Sequence, residues 1–286
     1  MNNQINISLI QHSFKGDVLK TLDYVEQEIV KTARMGADII SLQEMFFLPY
    51  FCNKVDDANF EYAIQKDDEI IERFKCLAKD NEVVLVFPFF EKRMDGVYNN
   101  SALVIDADGA IIDVYRKQHI PDDPSFHEKF YFSQDDSGYK IFNTKFGKIA
   151  VLICWDQWFP EAARIVALMG AEIIFYPTAI GILPGEENLK SRYTDAWKIM
   201  GRAAAIANGV FVAMVNRTGK EDNITFWGES FICDPLGAIL ESAEDDEKTL
   251  LSNIDKKLIE ETRITWPFLR ERRIDTYKGL LKRIIE

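Results

Sequence analysis

Residues 148–164, Lys148-Ile-Ala-Val-Leu-Ile-Cys-Trp-Asp-Gln-Trp-Phe-Pro-Glu-Ala-Ala-Arg164, constrain what this chain can fold into more than any other stretch. The run 149–153 is apolar and largely β-branched, without polar alternation, and so predicts a strand buried on both faces. Pro160 and Glu161 suit the first turn of a helix, where a missing N–H costs nothing and an acid complements the dipole. Ala162, Ile165, Val166 and Met169 then recur at helical spacing. Cys154 is thereby placed at a strand-to-helix turn, at the carboxyl end of a central strand. Ligands bind at such positions in open α/β sheets. Most buried cysteines are inert packing, so position alone does not make Cys154 a nucleophile.

The same grammar runs through the chain. Residues 5–10 predict a first strand. Leu19, Leu22, Val25, Ile29 and Ala33 predict an amphipathic helix over 17–35, capped by Asp17 and ended by Gly36. Residues 37–43 predict the next strand, with Glu44 at its end. Strand, helix, strand is a βαβ unit and implies a parallel pair. Further strands are predicted at 82–90, 98–106, 110–115, 139–142, 170–177, 210–216, 229–233, 238–241 and 249–254. Further helices are centred on 70–78 and 197–207, with Cys76 expected to pack nearby. The acidic run 241–247 reads as a solvated turn. No repeat or linker divides the 286 residues, which predicts a single domain over 1–286.

Charge and cysteine usage narrow the function classes. With 34 basic and 46 acidic residues, the net charge of −12 disfavours nucleic acid and anionic membrane as partners and tolerates a cationic ligand. The cysteines, Cys52, Cys76, Cys154 and Cys233, show no metal-like pairing and read as reduced thiols of a cytoplasmic protein. Positive charge concentrates near the end, at Arg270, Arg272, Arg273, Lys278, Lys282 and Arg283. A tail over about 266–286 could clasp a neighbouring subunit or form a solvated terminal helix.

Chemistry-bearing residues collect at strand ends. Glu44 is followed by Met-Phe-Phe-Leu-Pro-Tyr50-Phe51. Apolar surroundings penalise its charged form, which suits a general base near neutral pH. Lys117 ends the 110–115 strand and opens an irregular segment, 118–138. That segment is too aromatic for disorder, with Phe126, Phe130, Tyr131 and Phe132, and it carries Glu128. A cysteine–histidine pair would have to use His119 or His127 of that loop. No phosphate loop or dinucleotide fingerprint is present.

The set Leu-Gln-Glu44-Met, Tyr-Arg-Lys117 and Ile-Cys154-Trp-Asp resembles the nitrilase, or carbon–nitrogen hydrolase, superfamily over nearly the whole chain. Residues 115–122, 127–132, 154–161 and 175–181 carry the resemblance further than the triad alone. It implies an α/β fold, the four-layer αββα sandwich of the nitrilase type. It also implies association into homodimers or larger homo-oligomers, no cofactor, no metal, and a Glu44, Lys117 and Cys154 triad with Glu128 as an additional acid beside it. The matching stretches point to the branch that hydrolyses N-carbamoylputrescine to putrescine, carbon dioxide and ammonia. Alternatives are a related amidase, a ureidopropionate hydrolase, or a non-catalytic binding protein of the same fold. Cys154 would attack, Glu44 would move protons, and Lys117 with the Trp155 N–H would hold the oxyanion. Glu128 would orient Lys117 or the leaving amide. Relatives that take carbamoyl amino acids carry arginines just after the cysteine; Asp156, Gln157 and Trp158 stand there instead, so a small-molecule ureido substrate with an amine tail fits better. Tyr50, Trp155, Thr178 and Ala179 are the expected substrate-binding residues, and Glu186 or Glu187 could offer the amine a counter-charge.

Overall fold

The structure, a computed structural model, describes residues 3–285. In chain order its strands begin with β1 (Gln4–Gln11), β2 (Ile39–Leu42), β3 (Val84–Met94), β4 (Val97–Ile105) and β5 (Ile111–Arg116). They continue with β6 (Phe142–Thr144), β7 (Gly147–Val151), β8 (Ile173–Pro177), β9 (Gly181–Ile182) and β10 (Phe211–Val215). The last are β11 (Thr218–Glu221), β12 (Ile224–Trp227), β13 (Phe231–Cys233), β14 (Ile239–Ser242) and β15 (Lys248–Asp255). The helices are α1 (Val18–Arg34), α2 (Glu69–Asn81), α3 (Glu128–Tyr131), α4 (Pro160–Leu168), α5 (Lys190–Asn208) and α6 (Lys257–Thr265).

Two six-stranded sheets form, in the orders β15-β1-β2-β3-β4-β5 and β14-β13-β10-β8-β7-β6. Their centres are parallel: β1, β2 and β3 in the first, β7, β8 and β10 in the second. The period of two along each strand decides the layering. In β3, Val84 and Val86 face a core shared with Ile149, Val151, Ile173 and Phe175 of the second sheet. Leu85, Phe87 and Phe89 face the other way, onto Leu22 and Val25 of α1 and Ile71 and Phe74 of α2. Ala162 and Val166 of α4 and Trp197 and Ala205 of α5 cover the second sheet. The result is the expected helix–sheet–sheet–helix sandwich.

Local signals explain the element ends. Asp17 accepts from the Lys20 N–H at 3.0 Å and starts α1. Gly209, at φ +58°, ends α5 in the left-handed conformation that spares glycine the Cβ clash. Pro160 opens α4.

Some expectations are corrected. The 139–142 strand is displaced to Phe142–Thr144. In α4 the buried face is Ala162, Ala163, Val166 and Ala167, whereas Ile165 and Met169 are exposed. Cys76 is exposed as well. The acidic run does more than meet solvent, because the Glu244 and Asp246 carbonyls accept from Gln11 Nε2 at 2.8 and 2.5 Å. The small sheet β11-β12-β9 and helix α6 were not legible in the periodicity. Among the described residues no helix is long and apolar enough to cross a membrane.

Candidate active site

Each of the three strand-end residues lies just beyond the strand that delivers it. Glu44 follows β2 and Lys117 follows β5, both in the first sheet; Cys154 follows β7 in the second. Glu44 and Lys117 are completely buried, and Glu128 nearly so. Lys117 Nζ donates to Glu44 Oε1 at 2.8 Å and to Glu128 Oε2 at 2.6 Å. Asn100 Nδ2, from β4, also donates to Glu44 Oε1, at 2.7 Å. Both donors fall on one oxygen. Glu44 Oε2 is buried with no hydrogen-bond partner and is left to take a proton.

Backbone strain marks the same places. Cys154 has φ +42° and Met45, next to Glu44, has φ +47°. Non-glycine residues adopt this region only where the surroundings impose it. At Met45 the constraint is visible. The buried Arg217 donates from Nη2 to the carbonyls of Met45 and Leu48 at 2.8 and 2.9 Å, and from Nη1 to Glu221 at 2.7 Å. Glu221 in turn accepts from the Tyr50 N–H at 2.8 Å. The turn after Glu44 is thus tied to β11.

Electrostatics sort the protonation states. Burial works against a charge on Lys117, but the carboxylates of Glu128 and Glu44 outweigh it and hold the ammonium well above its ordinary range. Burial pushes the Cys154 thiol up strongly, and the Glu44 charge adds to this. Lys117 and the Ala179 backbone N–H work in the other direction. Burial raises Glu128 to about 7, against the pull of Lys117 and with the help of Glu44. The resting thiol is therefore neutral and becomes a nucleophile only as its proton leaves.

Cys154 opens into a cavity of about 410 Å³. Phe126, Trp155, Trp158, Ala179 and Trp227 form much of its wall, and Glu128, Asp123 and Glu186 supply its charge. No lysine or arginine lines it among the described residues. Of the two acids considered for an amine, Glu186 is on the wall and accepts from the Leu183 N–H at 2.9 Å. Glu187 instead accepts from the Gly185 N–H at 3.0 Å and is absent from the wall.

The other candidates divide. Trp155 and Ala179 line the cavity. Tyr50 is buried behind it, its hydroxyl without a hydrogen-bond partner and its phenol pushed up by burial and the nearby Glu128 charge. Thr178 is not part of the wall; its hydroxyl donates to the Tyr176 carbonyl at 3.0 Å. The histidines are engaged elsewhere, His119 with Asp156 at 2.7 Å and His127 with Asp122 at 3.7 Å. Asn100 was missed. Its signal was present, since Asn99 and Asn100 sit side by side, next to Ser101, in a strand that is otherwise apolar, and buried amides need partners.

The sequence profile described as carbon-nitrogen hydrolase matches residues 4–264. The chain is 43% identical to the N-carbamoylputrescine amidase of Arabidopsis thaliana over 288 residues, covering 97% of this chain and 95% of that protein. It is 39% identical to the citrullinase of Francisella tularensis subsp. tularensis, covering 98% and 99%. The crystal structure of a carbon-nitrogen hydrolase from Helicobacter pylori G27 superposes with a TM-score of 0.96 at 42% identity, covering 99% of this chain and 100% of that one.

Proposed function

The chain belongs to the carbon–nitrogen hydrolase family, and from that premise we propose that it hydrolyses N-carbamoylputrescine to putrescine, carbon dioxide and ammonia. The observation that carries the substrate choice is the charge away from the Lys117–Glu128 pair: the cavity wall there holds the acids Asp123 and Glu186 and no lysine or arginine among its described lining residues. N-carbamoylputrescine presents a ureido group at one end and an ammonium at the other, separated by an apolar chain. Aromatic walls suit the chain, and Glu186 suits the ammonium.

In the reaction, Cys154 Sγ attacks the ureido carbon as its proton passes to Glu44 Oε2. The carbonyl oxygen becomes an oxyanion facing the Lys117 ammonium and the Trp155 N–H. The latter lies in the first turn of the segment Cys154–Trp158, where amides lack an intrahelical acceptor. The terminal C–N bond breaks, and Glu44 returns the proton to the departing ammonia. A carbamoyl thioester remains on Cys154. Water, deprotonated by Glu44, attacks the thioester and releases the carbamate as Glu44 returns that proton to the Cys154 sulfur, and the carbamate loses carbon dioxide to give the amine. Glu128 keeps Lys117 charged and aimed.

Citrulline is the informative competitor, given the Francisella relative. It carries an ammonium and a carboxylate at its far end, and the carboxylate meets no cation on the cavity wall. N-carbamoyl-β-alanine has the carboxylate alone. A non-catalytic role leaves the buried lysine–glutamate set beside a strained cysteine without a purpose. Ammonia release from these three ureido compounds and a plain aliphatic amide tests the reading. N-carbamoylputrescine is expected to dominate, and Cys154→Ser to abolish turnover. Glu186→Gln is expected to raise KM about tenfold, roughly 1.4 kcal/mol, with kcat preserved. Preference for a carboxylate-bearing substrate overturns the choice.

The same reading treats 1–286 as one hydrolase domain whose tail, 266–286, makes contacts with a second copy. Residues 1, 2 and 286 lie outside the described residues. Trp266, Ile274, Leu280 and Leu281 are exposed there, as are Ile165, Met169 and Ile199 on α4 and α5. Apolar exposure on this scale supports an interface.

A further inference from the structure

We propose that Asp156 is a positioning residue that sets the separation of Lys117 and Cys154, an inference that rests on the roles given to those two residues above. Glu44 and Lys117 belong to one sheet and are tied directly to each other. Cys154 belongs to the other sheet. Between the sheets the contacts are largely aliphatic and aromatic, with Val84, Val86, Ile173 and Phe175 in one core. The buried bonds from Ser230 to Gln11 Oε1 of β1, at 2.9 and 2.6 Å, tie the sheets at β1 and not at the strands that deliver Lys117 and Cys154. Apolar contact is strong but non-directional, so it does not hold two sheets in register to tenths of an ångström. Attack geometry needs that accuracy.

Asp156 supplies direction. Its carboxyl group is fully buried. Oδ2 accepts from the Tyr115 hydroxyl at 2.7 Å and from the Ile153 N–H at 2.9 Å. Oδ1 accepts from the His119 N–H at 3.0 Å and stands 2.7 Å from His119 Nδ1. Tyr115 and His119 lie two residues before and two residues after Lys117, and Ile153 immediately precedes Cys154. One side chain therefore grips the lysine segment on both sides and the backbone that enters the strained cysteine. The His119 ring is itself fixed, stacked on Phe159 at 3.7 Å and 6°. Asp156 is absent from the cavity wall and acts through its neighbours.

Asp156→Asn separates this role from simple packing. An amide keeps the volume but replaces one acceptor by a donor. Tyr115 can reverse its hydroxyl and His119 can change tautomer, but the Ile153 and His119 N–H groups cannot. Whichever way the amide is turned, one backbone N–H faces an NH₂. The expected result in a folded variant is a kcat lower by about 100-fold with KM within about threefold. Tyr115→Phe, which leaves the remaining contacts, should lower kcat about tenfold. Because both act through the same separation, the double variant should be no slower than Asp156→Asn alone.

A folded Asp156→Asn with kcat within threefold of wild type overturns the proposal. So does a loss confined to KM, or a double variant that loses the product of the two single effects. Should Asp156→Asn fail to fold, Tyr115→Phe decides alone, and an unchanged kcat there is equally fatal. Alkylation of Cys154 by iodoacetamide, in which an S–C bond forms as iodide leaves and the thiol proton passes to Glu44, is the readout that needs no substrate assignment. It should slow about tenfold in the folded Asp156→Asn or Tyr115→Phe variant; an unchanged rate contradicts the proposal. If wild type turns over none of the ureido compounds, the substrate reading falls, while the alkylation rates still judge Asp156.

Discussion

At Glu44 the two carboxylate oxygens divide their duties. Oε1 takes Lys117 and Asn100, and Oε2 is left for the proton. Lys117 is likewise held by two acids rather than one, which keeps a buried ammonium charged where burial alone would neutralise it. A second buried group outside the site yields a pH prediction. His12 is fully buried, bonded through Nδ1 to the Ser13 carbonyl at 2.9 Å, and burial lowers its pKa from 6.5 to about 3. The unfolded chain takes this proton below pH 6.5 while the folded chain refuses it until about pH 3. The stabilising difference is thus present above pH 6.5 and is lost as pH falls, by about 1.4 kcal/mol per pH unit. Glu128, raised from 4.5 to about 7, has the opposite sign and is lost as pH rises through that window. Denaturant melts of wild type and His12→Gln across pH 3–7 isolate the histidine. Wild-type stability minus that of the variant should shrink as pH falls from 6.5, and a flat difference refutes a buried neutral imidazole.

Among the elements, the turns after β2 and β7 do the most to build the site. Each carries a residue with positive φ, Met45 and Cys154, at the carboxyl end of a non-edge strand. The strand β9 is the counterpart on the far wall. A Cβ on Gly181 would sit 2.4 Å from the Thr225 carbonyl oxygen and 2.8 Å from Ile224 Cγ2. Those atoms belong to β12, which pairs with β9. Gly181→Ala must push the two strands apart, and Ala179, Ile180 and Gly181 all line the cavity. The expected cost is about 1–3 kcal/mol in a urea melt, with a rise in KM of about threefold or more. Unchanged stability together with unchanged KM would show that the wall accommodates the methyl.

On the scale of the whole molecule, the outer helices α4 and α5 and the tail expose apolar side chains such as Ile165, Ile199, Leu280 and Leu281. Between α4, α5 and the tail lies a cavity of about 610 Å³ lined in part by Arg164, Phe268, Arg272 and Tyr277. If the tail joins two copies, deleting 266–286 should reduce the mass measured by light scattering, and an unchanged mass removes that role. Much of the architecture was legible in the linear chain. The apolar run of β3, the 3.6-residue period of α1, and the caps Asp17 and Gly209 are local signals, set by sterics and by which side chains tolerate water. Glu44, Lys117 and Cys154 were also visible, because each is a reactive residue just beyond an apolar run. Other features have no local signature. The short strands β9, β11 and β12 pair with one another in a sheet of their own. The convergence of Tyr115, His119 and Ile153 on Asp156 joins residues up to 41 positions apart. The sequence by itself determined most of the strands and helices and the chemical kinds of residue at their ends. Only the tertiary structure decided which oxygen of Glu44 stays open, which acids face the cavity, and how two sheets are held in register. Those depend on directional contacts between distant segments, and periodicity along a chain carries no record of them.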